Sequence, residues 1–462
     1  MRRFTLLLSA AFASAPVLAQ TATFTPLGDL PGGDTLSSAS AVSADGRVVV
    51  GSSRSAESGS FSEVYRWTAE TGMVALGDLP GSSVQSIATA ISDDGSVVVG
   101  RGRGPSGFEA FRWTAETGMV GLGDLPGGSF DSRAEDVSAD GSVVVGYSHI
   151  GGSITSDGGF RWEAGVMTRL PDLPGGRDNG RAYAVSADGR IVGGRGTIED
   201  GEGEDVSAAV RWVDGVPEGL GFPPEATGLN TYDMSADGRR VTGEGIYIVP
   251  GPPYGWKTFL WEEGEGIRWL EEPCPYSHGR AISGDGRVIA GAPPLGGCLQ
   301  EHFLWTEQTG LRTLRSVLED HGIDLAGWTS LSIGSKGLSY DGRVIVGSGI
   351  NPEGNREAWR VELPPWPVAT EPEPPAAPLT LAVTPNPSRG AATLTLTPRL
   401  PGAVRVAVYD VLGREVALLH TGSLAAGSHT FSLGSAALPP GVYFVRAEAG
   451  RHVITRALTV LR

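Results

Sequence analysis

Lysine is nearly missing from this chain: of its 36 basic residues only Lys257 and Lys336 are lysines, and the remainder are arginine. Cysteine is as scarce, with Cys274 and Cys298 alone, and the 7 histidines are scattered singly. So thin a supply of thiol and imidazole does not assemble the closely spaced ligands of a zinc site, and no metal is expected. The sequence also lacks H-E-x-x-H, G-x-S-x-G and a phosphate-cradling glycine loop, so no cofactor is expected and the usual catalytic signatures are missing. A net charge of −16 argues against a nucleic-acid partner, because displacing counterions from phosphates takes an excess of Lys and Arg. Past the N-terminus no apolar run reaches the roughly 18–20 residues a membrane helix needs, so the mature chain is expected to have no transmembrane segment.

Glycine (69 residues) and proline (32) are plentiful beside 40% hydrophobic residues. That mixture disfavours long helices and favours many short strands joined by turns. At the start, MRR supplies positive charge, FTLLLSAAFA a short apolar run and APVLAQ small residues around Ala19. This is the pattern of an export signal, with residues 1–19 removed and Gln20 left first.

The strongest signal is a repeat. Asp-Gly pairs at Asp45, Asp94, Asp140, Asp188, Asp237, Asp285 and Asp341 recur every 46 to 56 residues. Each sits in VSADG-like text and is followed by an apolar run: RVVVG, SVVVG, SVVVG, RIVGG, RRVTG, RVIAG and RVIVG. Asp-Gly between two β-prone runs reads as a tight hairpin whose turn needs positive φ, which Asp and Gly tolerate. A variable loop and a Trp-bearing strand come next, with Trp67, Trp113, Trp162, Trp212, Trp261, Trp305 and Trp359, and then a last short apolar stretch such as MVALGDL. Each unit is four strands, and four-stranded units of this length are propeller blades. The Ala- and Ser-rich first strand suits a crowded axis, and the unbroken VVV suits a strand sandwiched between neighbouring blades.

The strand count sharpens this. A lone fourth-strand copy, TFTPLGDL, precedes the first hairpin, and none follows Trp359. The expected fold is therefore all-β: a seven-bladed propeller of four-stranded antiparallel blades closed by the N-terminal strand, with an open β-solenoid as the alternative. Residues 20–363 form this domain and 364–378 a Pro-rich linker. In TLRSVLEDHGIDLAGW, Leu314, Val317 and Leu318 recur at helical spacing before Gly322, which predicts a short helix covering one end of the ring.

With LGDLPGG, AVSADGRVVVG and EAFRWT in order, the repeat region resembles the HAF family of extracellular repeats. His302 in EHFLW and Ala110-Phe111 in EAFRW fall on that family's H-A-F-x-W strand, although most copies lack the His. The resemblance implies an exported, propeller-like module and no reaction. Residues 379–462 alternate like a small β-sandwich and resemble the C-terminal sorting domain of type IX secretion cargo. The matching residues are Pro385, Asn386, Pro387 and Gly390, then Tyr409, Asp410, Gly413 and Arg414, then Gly441, Val442 and Tyr443. That resemblance implies the secretion machinery as a partner and a destination outside a Gram-negative cell or on its outer-membrane surface.

Counting outward from Asp285-Gly286, Cys274 and Cys298 come within one residue of facing each other on a prolonged hairpin, and an exported chain favours their disulfide. The turn aspartates read as turn formers rather than metal ligands, and the tryptophans as packing. With the tight turns on one face of the ring, the variable loops share the other, and loops on a rigid scaffold are where binding concentrates. Candidate ligand-binding residues are Tyr147, His149, Tyr254 and Trp256 in long loops, and Arg133, Asp178, Arg181, His278 and Arg280 in segments entering the inner strands. The expected function is a non-catalytic, monomeric binding module for a glycan or surface protein. The alternative is a secreted glycan-cleaving enzyme with paired carboxylates in the central pocket.

Overall fold

The structure, a computed structural model, describes residues 21–366 and 379–461 apart from short internal stretches: 82, 152–155, 178, 200–204, 224, 248–254, 271–276, 294–300, 390, 399–401, 411–413, 426, 435–437 and 450–451. The export segment, Cys274, Cys298, Asp178 and Tyr254 lie outside the described residues. The chain divides into two compact units, Met1–Trp366 and Pro367–Arg462.

The hairpin turn is built by its serine and aspartate side chains. Gly46 N donates to Ser43 O at 2.9 Å, Ser43 Oγ and Arg47 N both donate to Asp45 Oδ1 at 2.7 and 3.0 Å, and Val48 N donates to Ser43 Oγ at 3.0 Å. The same serine–aspartate–amide set recurs at Asp94, Asp140, Asp188, Asp237, Asp285 and Asp341. Only the glycine takes positive φ, 75° at Gly46. The expectation that the aspartate itself occupies that region is thus corrected: its carboxylate is retained as an acceptor for otherwise orphaned loop donors.

Six hairpins extend into four-stranded antiparallel blades, the first being Gly32–Val42, Val49–Ser55, Glu63–Thr68 and Gly72–Ala75. The seventh blade takes Thr329–Leu338, Val344–Ile350 and Arg356–Glu362 from the end of the repeat region and Thr23–Gly28 from its start, the last two pairing antiparallel. Joining the two ends in one sheet is what the strand count required, and an open solenoid does not provide it. At the turn end a circle of backbone hydrogen bonds runs from blade to blade: Ala44 N to Asp93 O, Asp93 N to Ala139 O, Ala139 N to Ala187 O, Ala187 N to Ala236 O, Ala236 N to Gly284 O, Asp285 N to Tyr340 O, and Tyr340 N back to Ala44 O.

The blades pack through the residues the repeat holds constant. Val49, Val50, Val98, Val99, Val144 and Val145 are fully buried, as a strand between two neighbours must be. Arg66 Nε and Arg112 Nε donate to the turn-glycine carbonyls of the next blade, Gly95 and Gly141, and Arg161, Arg211 and Arg360 do the same to Gly189, Gly238 and Gly46. Where the motif reads Leu-Trp instead, Arg240 reaches Gly286 O and Trp366 Nε1 reaches Gly342 O. The tryptophans match in six blades, each opposite the second residue of the apolar run, for example Val49 opposite Trp67. Trp359 breaks the series: it lies opposite Gly347, the place held by Tyr65 opposite Gly51, and is fully buried there.

The expected helix spans Leu314–Asp320, N-capped by the Thr313 side chain, with Gly322 at φ 79° just past its end. Its buried face, Leu314, Val317 and Leu318, joins the core between blades six and seven instead of covering an end. In the second unit, strands Leu379–Thr384, Ala392–Pro398 and His429–Leu433 form one sheet, and Glu415–Leu424, Gly402–Tyr409, Gly441–Ala449 and His452–Val460 the other, around Leu394, Leu396, Val406, Val408 and Val445. Its motif residues hold the chain together. The Asn386 amide donates to Ala457 O and accepts from Thr459 N at 2.8 and 2.9 Å, Asp410 accepts from Arg414, and Tyr443 Oη donates to Pro439 O.

Candidate functional site

In blades one to six the inner ladder skips a residue five places before the turn aspartate, and in blade seven it breaks across the same place, between Ile333 and Leu338. Ala39 pairs with Gly51 and Ala41 with Val50, leaving Ser40 unopposed, and the same bulge falls at Thr89, Glu135, Tyr183, Tyr232 and Arg280. A bulge re-aims its extra side chain. It also presses a carbonyl onto the facing strand: a Cβ on Gly51 would meet Ser38 O at 1.9 Å, on Gly100 Ile87 O at 2.1 Å, and on Gly146 Arg133 O at 2.0 Å. That is why every apolar run closes on glycine. Small residues therefore do not face the axis as expected; Ala39, Ala41, Ala88 and Ala90 are buried between blades. The bulge residues line the channel.

Lys336, five residues before Asp341 in blade seven, demonstrates this by reaching across the channel. Its ammonium bonds Asp136 Oδ2 of blade three at 3.0 Å and Asp233 Oδ1 of blade five at 2.5 Å. Those carboxylates also accept from Val185 N of blade four and Ile282 N of blade six, each at 2.9 Å. The pair at the axis is thus spanned by a cation and held by backbone amides. Burial alone would favour neutral lysine, but the two aspartates outweigh it and hold Lys336 charged; burial pushes Asp233 up, with Lys336 opposing. Between this clamp and the turn end about 110 Å³ remains, below the about 300 Å³ at which small-molecule pockets begin. Space for a ligand must be sought on the loop side, at the mouth.

There a row of tyrosines from three successive blades lines one wall. Tyr147 and Tyr183 have ring centroids 6.3 Å apart, and Tyr183 and Tyr232 5.6 Å. An arginine stacks on each outer ring: Arg181 lies 4.4 Å over Tyr147 and Arg280 4.3 Å over Tyr232. At one end Arg181 Nε donates to Asp157 Oδ2 at 2.7 Å, His149 Nδ1 lies 3.3 Å from Asp157 Oδ1, and Arg133 pairs with Glu135 at 2.8 Å. At the other, Glu244 takes hydrogen bonds from His278 and from Tyr232 Oη at 2.8 Å, and Trp256 sits 5.9 Å from the His278 ring. Burial raises Glu135 above the usual carboxylate range, with Arg133 opposing only in part. Burial would also raise Glu244, but His278, Arg280 and Tyr232 outweigh it and hold it below that range.

Of the residues singled out in sequence, Arg133, Tyr147, His149 and Arg181 meet at one end of the row and Trp256, His278 and Arg280 at the other, while Asp178 and Tyr254 lie outside the described residues. Sequence reasoning missed Tyr183 and Tyr232, which join the two groups, the acids Glu135, Asp157 and Glu244, and the Lys336 clamp. A signal was present: an isolated glycine closing every strand marks a bulge, and the residue it re-aims differs from blade to blade. Among the described residues no group of acids, histidines and cysteines is placed to hold a metal ion.

Residues 382–461 match the family model of the secretion system C-terminal sorting domain. The chain therefore carries a type IX sorting domain and is secreted to the exterior or the cell surface, and no helix among the described residues is long and apolar enough to cross a membrane. No curated protein matches the chain. Among solved structures it is similar to TolB from Acinetobacter baumannii, at 14% identity over 69% of this chain and 81% of that one with a TM-score of 0.37. It is also similar to the β-propeller domain of the Trilobed protease from Pyrococcus furiosus, at 8% identity over 72% and 93% with a TM-score of 0.36. A third is PorZ, a surface component of the type IX secretion system of Porphyromonas gingivalis, at 12% identity over 87% and 73% with a TM-score of 0.23. These likenesses extend to the fold alone.

Proposed function

We propose that this exported chain is a non-catalytic binding propeller whose channel mouth receives a glycan, with delivery left to the sorting domain. The observation that carries the reading is the tyrosine row drawn from blades three to five and bracketed by Arg181 and Arg280. Rigid aromatic rings with hydroxyl tips, beside a few fixed polar groups in a concave wall, are what orient a polyhydroxylated ligand. The resemblance of the repeat text to extracellular HAF repeats implies an exported propeller-like module and no reaction, and names no ligand.

One observation favours the alternative, a glycan-cleaving enzyme: Glu135 is pushed up and Glu244 down, the division expected of an acid and its partner. They stand, however, at opposite ends of the tyrosine row, whereas glycosidase pairs lie about 5–10 Å apart. The closer pair, Asp136 and Asp233, is occupied by Lys336. The test is a glycan array followed by a reducing-end assay on every glycan that binds. Binding without new reducing ends is expected, and release of reducing ends would establish the enzyme instead.

A further inference from the structure

We propose that the mouth selects a glycan bearing a carboxylate, an acidic sugar held by Arg195 and Arg280; this rests on the glycan-binding reading above. Arg133, Arg181, Arg195 and Arg280 stand on the inner hairpins of blades three, four and six, and they are not equivalent. Arg181 is engaged by Asp157 and by Tyr183 Oη, and Arg133 by Glu135. Arg195, paired with Arg181 across the hairpin of blade four, makes one contact to a neutral group, Nη2 to Asn179 Oδ1 at 3.3 Å. Arg280 makes no hydrogen bond among the described residues. Its nearest carboxylate oxygen, Glu244 Oε2, is 3.9 Å away, and its side chain is 41% exposed. Glu244 is already engaged by His278, Tyr232 and Asn230.

Among the described residues neither guanidinium has a carboxylate within hydrogen-bond distance, on a chain of net charge −16, and that of Arg280 is stacked on Tyr232. Guanidinium groups so placed suit a planar carboxylate. The tyrosine row and the Trp256 ring beside His278 suit the hydroxyls and C–H faces of the sugar that carries it. An acidic peptide would answer only the arginines.

The test uses the full chain against uronate- and sialate-terminated oligosaccharides, the same oligosaccharides with their carboxyls reduced to alcohols, and a glutamate-rich peptide. Acidic forms should bind, and carboxyl reduction should weaken binding about tenfold or more, the scale of a lost charged hydrogen bond. Arg195→Ala and Arg280→Ala should each weaken acidic forms by a similar factor and the reduced forms much less, so that the preference for the acidic form falls. Arg280→Lys should recover only part, since the fork is lost. Equal binding of acidic and reduced forms would overturn the proposal while glycan binding stood. Preference for the peptide would overturn it in favour of a protein ligand, and binding of no glycan would overturn both readings.

Discussion

The two ends of the channel are made by the same hairpins and obey different rules. At the turn end the blades repeat one set of bonds: serine and aspartate close the loop, a backbone circle links the blades, and six of the seven turn-glycine carbonyls receive a donor from the preceding blade. At the mouth, five and seven residues before the turn, the blades part company. Blades one and two place Ser38, Ser40, Ile87 and Thr89 there, whereas blades three to six place Arg133, Glu135, Arg181, Tyr183, Asn230, Tyr232, His278 and Arg280. What repeats holds the ring; what diverges makes one wall of the mouth chemically distinct.

Breaking the boundary between the two ends should have the largest effect. Lys336→Ala leaves the buried Asp233 and the half-buried Asp136 without their cation, a change that costs about 3–5 kcal/mol, read as a lower denaturation midpoint. Adding Asp136→Asn and Asp233→Asn should recover much of it, and a Lys336→Ala chain as stable as the parent would show that the clamp carries nothing.

Acid should distinguish the ends next. Burial, with Arg280, lowers His302 to about 4, while its Nδ1 accepts from Ile333 N at 3.1 Å. A folded pKa below the unfolded 6.5 means this contribution is complete above pH 6.5 and lost as pH falls through about 4, roughly 3 kcal/mol in all at about 1.4 kcal/mol per unit. The turn aspartates Asp45, Asp94, Asp140 and Asp188 are held below their usual 3.8 by hydrogen bonds that outweigh burial, so their contribution fades only below that pH. The stability difference between the parent and His302→Gln across pH 4–7 isolates the first window; identical curves would refute the assignment.

Within the turn end, Asp140→Ala removes the acceptor of Ser138 and Ser142 and should cost about 1–2 kcal/mol with no effect on ligand binding. Arg112→Leu, which copies the Leu260 and Leu304 of blades five and six, should cost about 1 kcal/mol or less, since a single hydrogen bond to Gly141 O is lost. Both are measured by chemical denaturation.

Most of the fold was legible because its signals are local and repeated: the turn text, the apolar runs and the unpaired TFTPLGDL each carry meaning within a few residues. The site was legible in half. Tyr147 was marked by its variable loop text, and Arg133, Arg181, His278 and Arg280 by their place in segments entering the inner strands. Tyr183 and Tyr232 were not, because a tyrosine two places after Arg181 or Asn230 reads as an ordinary strand residue, and only the stacking of successive blades brings their rings together with Tyr147. Lys336, Asp136 and Asp233 lie in three different blades, and only closure of the ring brings them together. Trp359 was misaligned because its blade moves the indole two places along the strand, a shift visible only in the register.

The most direct test of the division between the two ends is a triple variant at the mouth, Tyr183→Ala, Arg195→Ala and Arg280→Ala, compared with the parent for thermal midpoint and for binding across the glycan panel. The variant should melt within a few degrees of the parent and lose glycan binding. Retained binding, or loss of the fold with no separable effect on binding, would contradict the assignment of function to the residues that do not repeat.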